Sequence, residues 1–381
     1  MKKFSPLAFL ASLGAGGIAI IPFAFFNYSI PHAKGLIKIA DMPYAEVGTL
    51  TATLFRSLEG VMITFTAIHI ILSVIFFVKL IQWLKEKDTY KEFIKNPLTN
   101  SAILAPFISI TMTMNVFIGP IRYFIPEFAA NLQTFMLPAL IAWAVIWLLL
   151  LRMEIKLLTT SFTSEFDVSK IHFGWLLHPF ALGMVTVTGM GIAALGQDPT
   201  ISNTAAFMSL ITGTMGIFLL LVKTIALFKS HFASSGLPEK QFLPSLLIVV
   251  PNITLYAISI FRFGHFLEKQ HGAEMGPFFL IVTTTLFAFE VWYMLFGLSL
   301  LRDYFKKHFF KEFHVTQWGL ICPLVAFAVL GSFVYSTFIA SPILYATIVI
   351  TLFLSVVAFF SLLIKHAKCS GWLKNTNKAC V

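Results

Sequence analysis

Residues 174–195 read GWLLHPFALGMVTVTGMGIAAL, without a single Asp, Glu, Lys or Arg. A hydrocarbon core needs about 20 apolar residues of helix, so this stretch is long enough to cross a bilayer. It is not uniformly greasy. Pro179 removes a backbone donor and frees a carbonyl, and Gly183, Thr186 and Thr188 follow it. In lipid such groups must be satisfied by neighbouring helices, by water or by a lined cavity. The stretch therefore reads as a bent membrane helix covered by other protein.

Ten stretches of crossing length follow from the same test, at 7–28, 58–83, 100–120, 127–151, 172–195, 203–228, 242–264, 276–301, 316–340 and 342–365. The 381 residues are 58% hydrophobic and 12% charged, with a mean hydropathy of +0.86. A soluble domain carries about 25% charged residues, so lipid must be the solvent for much of this chain. The expectation is an all-α membrane protein, one transmembrane domain over 1–381, with a short cytoplasmic tail at about 366–381. The first stretch follows Lys2 and Lys3. It is longer than a signal-peptide core and lacks a convincing cleavage site, so it is read as a retained helix.

The basic residues set the orientation. With the N-terminus inside, only Lys34, Lys38, Arg56, Arg122, Arg262 and Lys269 of the 27 Lys and Arg fall in outer segments. Both termini are then cytoplasmic, in a multi-pass protein of the cell (inner or plasma) membrane. This distribution in short loops also argues against a nucleic-acid partner despite the net charge of +10. Cys322, Cys369 and Cys380 give no disulfide framework, and His366 with Cys369 and Cys380 would make at most an incomplete metal site. No cofactor or metal is expected. The 42 Phe residues read first as lipid-facing bulk.

Prolines divide the stretches in two sets. Pro22, Pro106, Pro179, Pro251 and Pro323 fall one in each odd-numbered stretch, while Pro138 in the fourth is the only interior proline among the even ones. Small or polar residues gather beside them: Gly14, Gly16 and Gly17; Thr111, Thr113 and Asn115; Asn252 and Thr254; Gly331 and Ser332. The pattern suggests five hairpins, with an inner ring of kinked odd-numbered helices around a pore and an outer ring of even-numbered ones.

With GWLLHP at 174–179 and WGLICP at 318–323, the chain resembles the tellurite-resistance/dicarboxylate transporter family. That family takes in the bacterial protein TehA, fungal malate and sulfite transporters and the plant slow anion channels. The resemblance covers essentially the whole chain. It implies a homotrimer whose protomers each have a five-helix pore, with small anions as permeant species and membrane lipid around them. In the family the ninth helix commonly carries a pore-plugging Phe directly before its proline. Here that position is Cys322, which leaves Cys322 and Phe327, one turn on, as gate candidates.

The expected pore lining is Gly17, Pro22, Pro106, Thr111, Asn115, Pro179, Gly183, Thr186, Pro251, Asn252 and Pro323. Hydroxyls, amides and kink dipoles would bind an anion weakly enough to let it leave. Arg56, Arg122 and Arg262 are placed at outer span ends, as a vestibule that draws anions or as interfacial side chains. Glu290 in the eighth stretch is read either as a proton-coupling group or as a hydrogen-bonded structural carboxyl, including one between protomers. His178 either senses pH and meets an entering anion or is a capped structural residue; His69 reads as packing. A haem protein ligated by His69 and His178, a membrane enzyme, an inverted-repeat metabolite or drug exporter and a proton-coupled dicarboxylate symporter are the alternatives. The favoured reading is an anion channel or transporter for chloride, nitrate, sulfite or a C4-dicarboxylate, and not an enzyme.

Overall fold

In the computed structural model, residues 4–33, 35–167, 170–233 and 236–371 are described. Among them, ten helices are long and apolar enough to cross a membrane. We number them α1 (Pro6–Ser29), α2 (Thr49–Lys85), α3 (Asn100–Phe124), α4 (Leu132–Thr163), α5 (Phe173–Leu195), α6 (Pro199–Ala233), α7 (Leu243–His271), α8 (Gly276–Phe309), α9 (Val315–Thr337) and α10 (Pro342–Cys369). Lys2, Lys3, Lys34, Lys374, Lys378 and Cys380 lie outside the described residues, as does the tail from 372 on. His366 and Cys369, assigned above to that tail, belong to the last turns of α10.

The even-numbered helices are longer than the apolar windows suggested. α2 has 37 residues and α6 has 35, roughly 55 Å and 52 Å of helix against a core of about 30 Å. Their ends project as polar turns, which hydropathy alone reads as loop. Burial separates the two sets. The most apolar 18-residue window is 56% to 100% buried in the odd-numbered helices and 28% to 44% buried in the even-numbered ones. The exposed faces of the even helices are apolar, as at Ile71, Leu148, Phe218, Leu295 and Phe353, which suits contact with acyl chains.

Contacts among the odd helices run α1–α3, α3–α5, α5–α7, α7–α9 and α9–α1, a closed cycle. Each odd helix also touches the even helix that follows it in the chain. Every odd helix opens with a 3₁₀ turn: Pro6–Ala8, Asn100–Leu104, Phe173–Leu176, Leu243–Ile248 and Val315–Leu320. These five turns contact one another in the same cyclic order, so the odd helices all start at one end of the bundle.

The prolines act differently from the mid-helix bends expected of them. Pro106, Pro179, Pro251 and Pro323 stand in the first α-helical turn after the 3₁₀ turn. There a missing amide costs little, because the preceding carbonyls are used at shorter range: Ala105 donates to Ala102 O and Leu177 to Gly174 O. Pro22 alone of the five lies well inside its α-helix. All five are buried.

Candidate functional site

Glycines fix how closely the odd helices approach. A Cβ on Gly17 would stand 2.9 Å from Val325 of α9, and one on Gly183 would stand 3.2 Å from Leu255 of α7. Both were expected to line a pore; both instead let neighbouring odd helices touch. Pro106, although buried, lines an apolar cleft of about 240 Å³ between α2, α3 and α4, with Phe77, Phe107 and Ile146. That cleft faces outward.

The polar side chains sort in the same way. Thr186 donates to Leu182 O and to Thr212 of α6, 2.9 Å away, so it faces the even set. The Thr111 hydroxyl returns to Phe107 O of its own helix. Asn252 Nδ2 donates to Ile248 O at 2.9 Å and to Leu176 O of α5 at 3.4 Å, and the Pro179 carbonyl accepts from Tyr256 Oη at 2.6 Å. Asn115 reaches across from α3 to α5, where Nδ2 donates to Thr188 Oγ1 at 2.7 Å. His69 joins α2 to the Ser12 carbonyl of α1 and to Thr113 of α3, a packing role. Cys322 is buried, and Phe327 packs on Phe287 of α8 with centroids 5.0 Å apart. Phe327 thus points at an even helix, away from a gate's position.

The three arginines part company. Arg56 is exposed on α2 and lies over the Tyr44 ring. Arg122 is 3% exposed and gives its guanidinium to three backbone carbonyls: Ile118 O, Leu36 O and Ile37 O. It clamps the segment after α1 onto α3, so it is a structural strut and not an open vestibule cation. Arg262 lies nine residues before the end of α7, roughly 13 Å of helix from it. It sits deeper than a span end, because α7 runs on past the apolar window to His271. Its Nη1 donates to Val187 O of α5 at 2.6 Å, next to the Thr188 that Asn115 holds. Gly191 makes the room, since a Cβ there would stand 3.0 Å from Nη1.

Beside Arg262 along α7, aromatic rings from three odd helices meet. Tyr28 of α1 lies 4.0 Å, centroid to centroid, from Phe333 of α9 and 6.2 Å from Phe261 of α7. α1 and α7 are not neighbours in the cycle; α9 stands between them. Tyr28 is also within electrostatic range of the Arg262 guanidinium, which faces α5. The Tyr28 ring therefore reaches past the inner side of α9. Sequence reading missed all three rings, since nothing in a chain with 42 Phe residues marks two of them.

Sequence reading also missed Glu154. Its helix was expected to stop at 151, but α4 continues to Thr163 and turns Glu154 inward. Glu154 Oε2 stands 2.6 Å from His178 Nδ1, both side chains fully buried, and the Lys223 ammonium lies 4.1 Å from the Trp175 ring centroid. This cluster joins α4, α5 and α6, so His178 faces outward from the cycle. Glu290 likewise turns onto α7, where Thr254 Oγ1 donates to Oε1 while Oε2 has no hydrogen-bond partner. Fully buried against α7, it is placed as a carboxyl within one chain.

At the starting end of the odd helices, His172 caps the 3₁₀ turn of α5. Its Nδ1 accepts from Gly174 N–H at 3.1 Å, and its ring stacks on Phe242 at 3.8 Å. Burial holds the imidazole well below its ordinary value, at about 4. The folded state thus binds the proton less readily than the unfolded one. The stability this represents is full above about pH 6.5 and is lost as pH falls towards 4, about 3 kcal/mol for this shift. Thermal midpoints of the purified protein are expected to fall over that window, and to fall less in His172→Gln.

A bundle whose apolar outer faces suit lipid, and whose buried helices close on one another with polar groups between them, is that of a multi-pass membrane protein. The family model for voltage-dependent anion channels matches residues 3–367. The chain belongs to that family, whose members are anion channels or transporters and not enzymes. The resemblance drawn from the sequence is to the same family. No curated protein matched the chain.

Proposed function

We propose that this chain is a channel for small anions, and that its path runs along the axis enclosed by α1, α3, α5, α7 and α9. The observation that carries this reading is the closed cycle of contacts among those helices, with all five beginning at one end. Each N-terminus carries about half a positive charge. Five gathered at one mouth make a field that draws anions without a fixed cation to trap them. By the distribution of Lys and Arg this mouth is cytoplasmic, in the cell membrane. The Tyr28, Phe261 and Phe333 rings close the far end. His178 turns to Glu154 of the even helix α4, and Glu290 belongs to the even helix α8, where Thr254 of α7 holds it. Placed between odd and even helices, these groups favour a channel over proton-coupled symport. The unit is one transmembrane domain, and assembly as a homotrimer follows from the likeness to its family.

Planar bilayers holding the purified protein test this reading, with salt and pH gradients varied separately. The expected reversal potential follows the chloride or nitrate gradient and ignores pH. A potential that tracks the proton gradient, or the absence of current with every anion, would reject it.

A further inference from the structure

We propose that the cleft between α2, α3 and α4 binds one anionic glycerophospholipid of the cytoplasmic leaflet, with an acyl chain in the cleft and the phosphate at Lys156 and Tyr90. Only the choice of leaflet rests on the orientation given above; the site does not depend on where anions cross.

α3 is the least covered of the odd helices. Its apolar window is 56% buried, against 72% to 100% in the other four. Phe107 and Ile110, three residues apart on one face, are part-exposed there. α2 and α4 stand to either side, and the Tyr90 hydroxyl is the one hydroxyl, amide or charged group among the side chains that line the cleft. An apolar cleft left empty forfeits dispersion contacts, which an acyl chain restores. The walls run over residues 77–84, 103–110 and 146–153. That is about 10 Å of helix each, against about 15 Å for one leaflet's half of the hydrocarbon core.

The rim of this cleft is basic. Along α4 the apolar wall ends at Met153, and the same helix face continues three residues on into Lys156. Lys156 Nζ lies 5.1 Å from the Tyr90 ring centroid and donates to Tyr90 Oη at 3.4 Å, which puts a cation at the mouth. The short helix Lys87–Lys95 carries Tyr90, and Trp83 of α2 fixes it by packing on Tyr90 and Phe93 with centroids 5.8 and 5.4 Å apart. Arg152 stands one turn before Lys156, and Lys87 one turn before Tyr90. All three cations are exposed, and none pairs with a carboxylate among the described residues. Glu86 shares the rim, whereas Asp88 and Glu92 fall on the opposite face of the short helix from Tyr90. Glu154 turns inward to His178. Three cations against one carboxylate leave the rim positive.

An ammonium with a phenol beside it offers a phosphate N–H and O–H donors. Basic residues at the cytoplasmic surface favour anionic lipid. A free phosphate gains nothing from the apolar walls, and a zwitterionic lipid brings its own cation to a rim that already has three.

Native mass spectrometry of the purified full-length protein provides the test, in titrations with phosphatidylglycerol, phosphatidylcholine or glycerol phosphate. One phosphatidylglycerol per protomer is expected, at concentrations where the other two do not bind. Lys156→Gln should weaken it by about fivefold, the worth of one charge near an anionic headgroup, and Arg152→Gln added to it by more. Leu149→Trp, at an exposed position on α4, fills the cleft and should weaken both lipids alike. If Leu149→Trp does not fold, the two charge variants, made on exposed side chains, decide. Equal binding of the two lipids, or phosphatidylglycerol affinity unchanged in the charge variants, would overturn the site. So would glycerol phosphate binding as tightly as the lipid. Leu149→Trp that keeps its lipid but splits the assembly would also overturn it, since the cleft would then hold a second copy of the chain. The readout is mass and not current: lipid bound without any anion current keeps this site and rejects the channel, and current without bound lipid does the reverse.

Discussion

Glu154→Ala is expected to cost the folded protein about 1–3 kcal/mol, the loss typical of leaving a buried hydrogen-bonding group without its partner. Glu154 and His178 are both fully buried and 2.6 Å apart, and the Lys223 ammonium is buried near them over Trp175. Removing the carboxylate leaves the buried His178 ring nitrogen without its hydrogen-bond partner, where neither water nor lipid can replace it. Because the cluster ties α4 and α6 to the back of α5, the loss should appear as early melting of the purified protein. Glu290→Gln is the matched control. Its amide oxygen can still accept from Thr254, so the change should stay within about 1 kcal/mol. Equal melting of both variants and the parent would mean that Glu154 is not the partner holding this cluster.

The second large effect is on conduction. Replacing Tyr28 and Phe333 together by alanine should raise the current by on the order of tenfold, since an apolar constriction closes a pore by excluding water. The two rings stand 4.0 Å apart, and their removal also costs packing, about 3–5 kcal/mol for each aromatic. Expression will therefore fall, and unitary conductance with open probability is the measure to use. If both stay at the parent's values, the closure is elsewhere, with the Cys322 level the next position to open by substitution.

The ten crossings were legible because lipid imposes a coarse rule: about 20 apolar residues, few charges. The odd–even distinction was legible through the prolines, though for a different reason than bending. They mark where a 3₁₀ turn becomes an α-helix, a property of local hydrogen bonding that hydropathy does not carry. Site residues were harder. Gly17 and Gly183 announce that something comes close, but not whether it is an ion or Val325 and Leu255. Thr186 and Thr188, two residues apart on α5, face different neighbours, α6 and α3, a rotation that no single sequence fixes. Arg122 and Arg262 looked alike as cations near span ends. Their difference lies in whether distant carbonyls, Leu36 and Ile37 in the first case, happen to be within reach. Glu154 was hidden by the drop in hydropathy at Arg152, where the helix leaves the apolar window without ending.

The claim on which the rest stands is that anions travel inside the cycle of odd helices. Thiol accessibility during conduction tests it most directly, on a background in which Cys322, Cys369 and Cys380 are replaced by serine. Single cysteines would be placed at Thr188, which faces α3, and at Leu148, which is exposed on α4. A small, charged, water-borne thiol reagent should block current through the Thr188→Cys channel and leave the Leu148→Cys channel untouched. Full current after treatment at Thr188, with block at Leu148, would put the anions on the outside of the helices and contradict the proposed path.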